Sequence, residues 1–254
     1  MGVGPILAVI PARGGSKGVV GKNIKLFAGL PLIAHSIRFA EMCPEIDRCI
    51  VSTDCEEISA VARANGGEVP FMRPAELAQD KTPSWPVIRH ALFEMERLAS
   101  HTFESILLLQ PTSPARQHED LIAAIELLNS DPDADGVVAV SEPPHNPRWV
   151  SVEERAGYAV PAFDNSAYIR RQDVPTNYRI NGMYYLWRRS YVVNNELQPR
   201  LNQARCRMLI VPDERAIDID HLLDFTIGEL LITGGVITVP WLQKSVHGPD
   251  NRRE

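Results

Sequence analysis

Long apolar runs are missing from this 254-residue sequence. None reaches the roughly 18 residues needed to cross a bilayer, so a membrane-spanning reading is excluded. The start, Met-Gly-Val-Gly-Pro, has neither a basic stretch nor an apolar core of export-signal length, which predicts a soluble, cytoplasmic protein. An excess of positive charge is also missing. The net charge of −6 argues against a nucleic-acid partner, so cations for any polyanionic ligand must be concentrated locally. The four cysteines, Cys43, Cys49, Cys55 and Cys206, show no Cys-x-x-Cys spacing and no zinc-like histidine pattern. They read as reduced, inert thiols at or near the core. Internal repeats, low-complexity tracts and Ser–His–Asp or Cys–His signatures are likewise lacking.

What is present is alternation. Ile6–Ile10 is a β-branched run ended by Pro11 and predicts a buried strand. A helix follows over Pro31–Met42, a strand at Arg48–Ser52, and a helix from an Asp54 N-cap, with Glu57 three residues on, through Asn65. A short third strand is expected at Glu68–Phe71, a helix at Trp85–Leu98 and a strand at Ser105–Leu109. Leu121, Ile122, Ile125 and Leu128 mark another helix, and Gly136–Val140 another strand. This order implies βαβ units, a largely parallel sheet and a ligand site beyond the strands' carboxyl ends. From about 142 to 178 the periodicity fails amid clustered prolines, as expected of a lid or subunit-contact arm. Regular structure resumes at Gly182–Trp187, Arg207–Val211, a helix His221–Ile232 and a strand Val236–Val239, before a polar tail from Ser245. The organisation expected is one domain over 1–254 carrying an inserted arm.

The segment after the first strand, Pro11-Ala12-Arg13-Gly14-Gly15-Ser16-Lys17-Gly18, continues to Gly21-Lys22-Asn23. Three cations, closely spaced glycines and a hydroxyl suit phosphate, because backbone N–H groups can come close while the cations offset charge. The run fits neither the Walker A loop nor the dinucleotide Gly-x-Gly-x-x-Gly fingerprint. Gln110 and Thr112 sit where a strand ends in a proline-stiffened turn, able to bind a polyhydroxylated ligand or simply to form the turn. Asp218 and Asp220, at i and i+2, point the same way in an extended segment. They suit a hard divalent ion, or else Asp220 caps the following helix. Ser84 either caps a helix or contacts ligand; Arg171 and Arg179 either pair with a substrate carboxylate or form surface salt bridges.

Taken together, IPARGGSKGVVGKN (10–23), VSTD (51–54), RPAELAQDKTPS (73–84), LLLQPTSPAR (107–116), RRQDVPTNYRINGMYYL (170–186) and IDIDHLLDF (217–225) resemble the acylneuraminate cytidylyltransferases, or CMP-sialic acid synthetases. The resemblance implies a three-layer α/β nucleotide-binding sandwich and a homodimer joined by an extended arm over 142–178. It implies transfer of CMP from CTP to the anomeric hydroxyl of a 2-keto-3-deoxy sugar acid of the nonulosonic, sialic-acid type, with release of pyrophosphate. Arg13, Ser16, Lys17, Lys22 and Asn23 match the family's CTP loop, with Lys22 near the α-phosphate and Lys22 and Arg13 stabilising developing charge. Arg73 and Ser84 match cytidine-holding positions. Gln110 and Thr112 match positions facing the sugar acid, Arg171 and Arg179 the arm's arginines, and Asp218 and Asp220 the magnesium (Mg2+) carboxylates. Pro143–Trp149 departs from the N-acetylneuraminate enzymes in bulk and spacing, which leaves the acyl pattern open. The alternatives are another acceptor, 3-deoxy-manno-octulosonate or a phosphonate, or a non-catalytic nucleotide-binding module.

Overall fold

The computed structural model describes residues 2–15, 18–196 and 201–245. The elements in chain order are β1 (Ile6–Pro11), β2 (Leu26–Phe27), β3 (Leu30–Pro31), α1 (Leu32–Met42), β4 (Arg48–Ser52), α2 (Glu56–Ala64), α3 (Ser84–Ala99), β5 (Ser105–Leu108) and α4 (His118–Ser130). There follow β6 (Gly136–Ser141), α5 (Pro147–Val150), β7 (Val152–Arg155), β8 (Tyr158–Pro161), β9 (Arg179–Arg188), α6 (Arg189–Asn194), β10 (Cys206–Ile210) and α7 (Leu222–Thr233). Six strands form one sheet in the order β10-β6-β9-β5-β1-β4. The pairs β1–β4, β1–β5 and β10–β6 are parallel, and β9 runs antiparallel between β5 and β6. The sheet is therefore mostly parallel, as the alternation of elements predicts.

Both faces of the sheet are covered. Ile6, Ala8 and Ile10 of β1 pack with Ile33 and Ile37 of α1, Ile58 of α2 and Leu121 of α4. The intervening Leu7 and Val9 pack with Ile88 and Leu92 of α3 and Val192 of α6. Strand alternation thus feeds two apolar layers, each buried side chain contributing about 1.5–3 kcal/mol. A third, smaller cluster joins Val19, Phe27, Leu32, Ile219 and Phe225. It matters for function, because it fastens the segment after β1 to the segment before α7, some 200 residues apart. Contact is tight there: a Cβ on Gly228 would lie 2.8 Å from the Phe27 ring.

Three sequence expectations are corrected. Glu68–Phe71 makes only single bridges flanking it, Glu68 with Ile50 and Met72 with Thr53, since Pro70 has no N–H with which to extend a ladder. Val236–Val239 is irregular; the amides of Val236 and Ile237 fold back onto the Leu231 carbonyl at 2.9 and 3.1 Å, ending α7, while Ile237 and Val239 bury against Ala115. Asp54 does not cap α2. Cys55 holds the N-cap position, and the Asp54 carboxylate instead accepts the Gly14 amide at 3.1 Å. The 142–178 stretch contains structure that periodicity missed, the β7–β8 hairpin. Its turn residues Ala156 and Gly157 have φ of 52° and 84°, the left-handed pair of a two-residue hairpin loop. The tail beyond 245 lies outside the described residues. All four cysteines are free, and burial pushes the Cys43 and Cys49 thiols up to about 12.

His35 gives the fold a pH dependence. Its ring is fully buried; Nδ1 accepts the Trp241 indole N–H at 3.0 Å, leaving Nε2–H to donate to the Phe27 carbonyl at 2.8 Å. Burial lowers its pKa from 6.5 to about 4, opposed by the Phe27 bond. The neutral form is the folded form, so its stabilisation is complete above pH ~6.5 and is lost as pH falls toward 4, about 3 kcal/mol in all. Denaturant unfolding across this window should show the loss, and His35→Gln should flatten it.

Candidate active site

The carboxyl ends of β1 and β5 open onto a cavity of about 450 Å³, within the range of small-ligand sites. Its lining includes Arg13, Lys22, Asn23, Arg73, Ser84, Gln110, Thr112 and Asp220, eight of the residues singled out from the sequence. Ser16 and Lys17 lie outside the described residues.

The loop after β1 is held from both sides. Ala12 N–H donates to the Ser52 carbonyl at 2.9 Å, and the buried Asn23 amide donates to the Arg13 carbonyl at 3.2 Å. Gly21 turns with φ 65° and directs Lys22 into the cavity, where Nζ lies 2.9 Å from Asp220 Oδ1. Gly18 must lack a side chain, because a Cβ there would sit 2.6 Å from the Asp220 carbonyl oxygen. The basic loop and the Asp pair therefore meet, as the sequence reading requires.

Asp220 is not a helix cap. His221 occupies the N-cap of α7 in a reciprocal capping box with Asp224, whose carboxylate accepts the Asp220 and His221 amides at 2.8 and 2.7 Å. This leaves the Asp220 carboxylate facing Lys22. Its neighbour Asp218 is solvent-exposed and hydrogen-bonded to the Thr112 side chain. Partial desolvation and the Asp220 charge push the Asp218 carboxyl above its usual value, against the Thr112 bond and Lys22. The Ile219 amide donates to the Thr112 carbonyl at 2.9 Å, so the end of β5 and the Asp segment are one unit.

On the other wall, Arg73 is buried. Its amide donates to the Thr53 carbonyl at 2.7 Å, Nε to Ser52 Oγ at 3.1 Å, and the guanidinium also to the Ser52 carbonyl. Desolvation lowers its pKa to about 10, so it remains a cation at neutral pH. Arg13 pairs with the half-exposed Asp80. Pro83 holds the N-cap of α3 and makes no side-chain cap, which puts Ser84 at the first turn on the cavity wall rather than in the cap. The uncapped amides of that turn carry the positive end of a 16-residue helix.

Arg171 and Arg179 are not brought to this cavity. Arg171 donates to the Pro144 carbonyl at 3.0 Å and lines a separate hollow of about 650 Å³ with Glu142, Asn146 and Asp213. Arg179 pairs with Asp213 at 2.6 Å and donates to the Ala216 carbonyl at 3.1 Å. Sequence reading overlooked His221 and Thr82 on the cavity wall and Arg116 beneath it. The His-x-x-Asp spacing of the α7 capping box was the available signal for the first. Arg116 gave no signal, because its three partners, the Met183 and Gln110 carbonyls and Ser36 Oγ, are assembled from three distant or strand-end positions.

Known proteins resemble this chain in sequence and in fold. A CMP-N,N'-diacetyllegionaminic acid synthase from Legionella pneumophila is 34% identical over 228 residues, 89% of this chain and 96% of the relative. Post-translational flagellin modification protein B from Campylobacter coli is 34% identical over 227 residues, 89% and 94% of the two chains. The solved structure of a CMP:2-keto-3-deoxy-manno-octonic acid synthetase complexed with CTP superposes with a TM-score of 0.69 at 18% identity, covering 91% of this chain and 99% of that one, which establishes the shared fold. The profile of the family described as Cytidylyltransferase matches residues 7–226, and the chain belongs to that family.

Proposed function

We propose that the chain transfers CMP from CTP to the anomeric hydroxyl of a nonulosonic 2-keto-3-deoxy sugar acid, releasing pyrophosphate. The observation that carries this reading is the 2.9 Å approach of Lys22 to Asp220 inside a strand-end cavity. A cation from a glycine-rich loop and a carboxylate pair are what an incoming triphosphate and its counterion require. The legionaminic acid named for the Legionella relative is a sugar acid of this class, which favours a nonulosonic acceptor.

In this reading the chain works by positioning and charge neutralisation. Lys22 and Arg13 offset charge at the α-phosphate as the sugar hydroxyl attacks and pyrophosphate leaves; Ser16, Lys17 and Asn23 complete the phosphate loop. Arg73 and Ser84 hold the cytidine, while Gln110 and Thr112 face the sugar acid. Asp218 and Asp220 offer hard carboxylate oxygens two residues apart, with Asp220 on the cavity wall, so the donor set fits Mg2+. Bound there, the ion would supply further neutralisation of phosphate oxygens. Among the described residues no helix is long and apolar enough to span a membrane. In this reading the reaction runs in the cytoplasm, with CTP drawn from the soluble nucleotide pool. Exposed Val150, Val152, Tyr158 and Ile169 give the 142–178 arm an apolar surface suited to a second copy of the chain in a homodimer. Its Arg171, with Arg179 at the arm's base, would then bind substrate only in the dimer.

Pyrophosphate release with CTP and Mg2+ over an acceptor panel tests the reading. Nonulosonic acids should exceed 3-deoxy-manno-octulosonate by at least about 10-fold in kcat/KM. Binding of CTP with Mg2+ but no pyrophosphate release with any acceptor would instead leave a nucleotide-binding module.

A further inference from the structure

The antiparallel strand β9 does not run evenly beside β6. Val138 pairs with Tyr185 and Val140 with Ile180, so five steps along β9 oppose two along β6. The excess forms a bulge over Asn181–Tyr184, beside the cavity floor. Asn181 anchors one side, its buried amide donating to Ser141 Oγ at 2.9 Å while Oδ1 accepts the Met183 amide at 3.1 Å. The fully buried Arg116 anchors the other, donating from Nε to the Met183 carbonyl at 2.6 Å and from its guanidinium terminus to the Gln110 carbonyl at 2.7 Å. At the apex is Gly182, with φ of +77°.

The space above Gly182 is already taken. A Cβ there would lie 2.7 Å from Gln110 Oε1 and 3.4 Å from Ser113 Oγ, a buried hydroxyl with no hydrogen-bond partner among the described residues. The Gln110 amide oxygen rests on the bare Gly182 backbone, although Gln110 also lines the cavity. From this geometry we infer that Gly182 is a positioning residue for the sugar acid: the missing side chain fixes the orientation in which Gln110 presents its amide to the acceptor. The inference rests on the reading of Gln110 as an acceptor contact. The clashing atom is the far end of a flexible side chain, so a methyl at position 182 displaces the Gln110 amide more readily than it displaces the backbone. The remaining burden is the left-handed φ, which strains any side chain placed there and which the thermal unfolding reads separately. The consequence should fall on acceptor binding, because the side chain displaced is Gln110, the acceptor contact in the proposed function.

The experiment compares Gly182→Ala, Gln110→Ala and the double variant, measuring KM for the sugar acid and for CTP separately, with thermal unfolding alongside. Gly182→Ala is expected to raise the sugar-acid KM about 10-fold, with CTP KM within about twofold of wild type. In a Gln110→Ala background the Gly182 substitution should add nothing, since the pair acts as a unit. Additive losses, or an unchanged sugar-acid KM in Gly182→Ala, overturn the proposal while leaving Gln110's role intact. An unchanged sugar-acid KM in Gln110→Ala overturns that role and the proposal with it. If Gly182→Ala alone does not fold, Gln110→Ala should restore folding by vacating the site; a double variant that also fails to fold overturns the proposal.

Discussion

Lys22→Ala lowers kcat/KM by about 10²–10³-fold, the usual loss when one group aimed at developing charge is removed. Lys22 Nζ is 2.9 Å from Asp220 Oδ1, and its side chain is 14% exposed, so it is a partly desolvated cation whose field acts at short range. Removing it has two consequences with the same sign. The α-phosphate loses a cation, and Asp220 is left facing the triphosphate unpaired. The fold should be affected far less. Asp220 is 59% exposed, and ion pairs with one solvent-accessible partner contribute little stability. Lys22→Arg should recover only part of the rate, because a planar fork does not reproduce a compact ammonium beside Asp220. Steady-state pyrophosphate release together with thermal unfolding decides the matter. A near-normal rate in a folded protein would remove Lys22 from the chemistry.

The sequence made legible whatever is local. Ile6–Ile10 and Ser105–Leu109 announce buried strands because a strand covered on both faces is apolar at nearly every position. The phosphate loop is readable because its glycines and cations lie within a dozen residues. The doublet of Asp218 and Asp220 was likewise visible, but the reading of Asp220 as a helix cap could be set aside only once Asp224 and His221 were found to cap α7 between themselves. The illegible parts depend on distant partners. Nothing in Gly182–Trp187 states that it will insert antiparallel between β5 and β6, since periodicity carries no direction. Asp54 read as a cap on local grounds and was drawn instead to the Gly14 amide forty positions upstream. The β7–β8 hairpin escaped notice because both its faces are largely exposed, which removes the polar–apolar alternation that marks a half-buried strand. Arg171 and Arg179 stand as a stretch whose sequence promises ligand contact while, within one chain, both guanidinium groups are engaged outside the cavity.

Asp220→Asn is the sharper test of the Asp pair, and its expected effect is larger, at least about 10³-fold in kcat. That is the scale of several kcal/mol of charge stabilisation. The substitution keeps shape and one carbonyl oxygen, so Lys22 retains a hydrogen-bond acceptor and α7 retains its cap, which Asp224 and His221 form without the Asp220 carboxylate. What disappears is one negative charge beside Asp218. A site left with a single carboxylate binds a hard divalent cation more weakly, so the Mg2+ concentration giving half-maximal rate should rise while unfolding temperature stays near wild type. The two signatures separate a ligand for the counterion from a partner needed only to orient Lys22. In the second case Asn would serve nearly as well, since its oxygen can accept the same bond, and the Mg2+ dependence would not move. An Asp220→Asn enzyme with near-normal turnover and an unshifted Mg2+ requirement would therefore leave the carboxylate pair without a catalytic part.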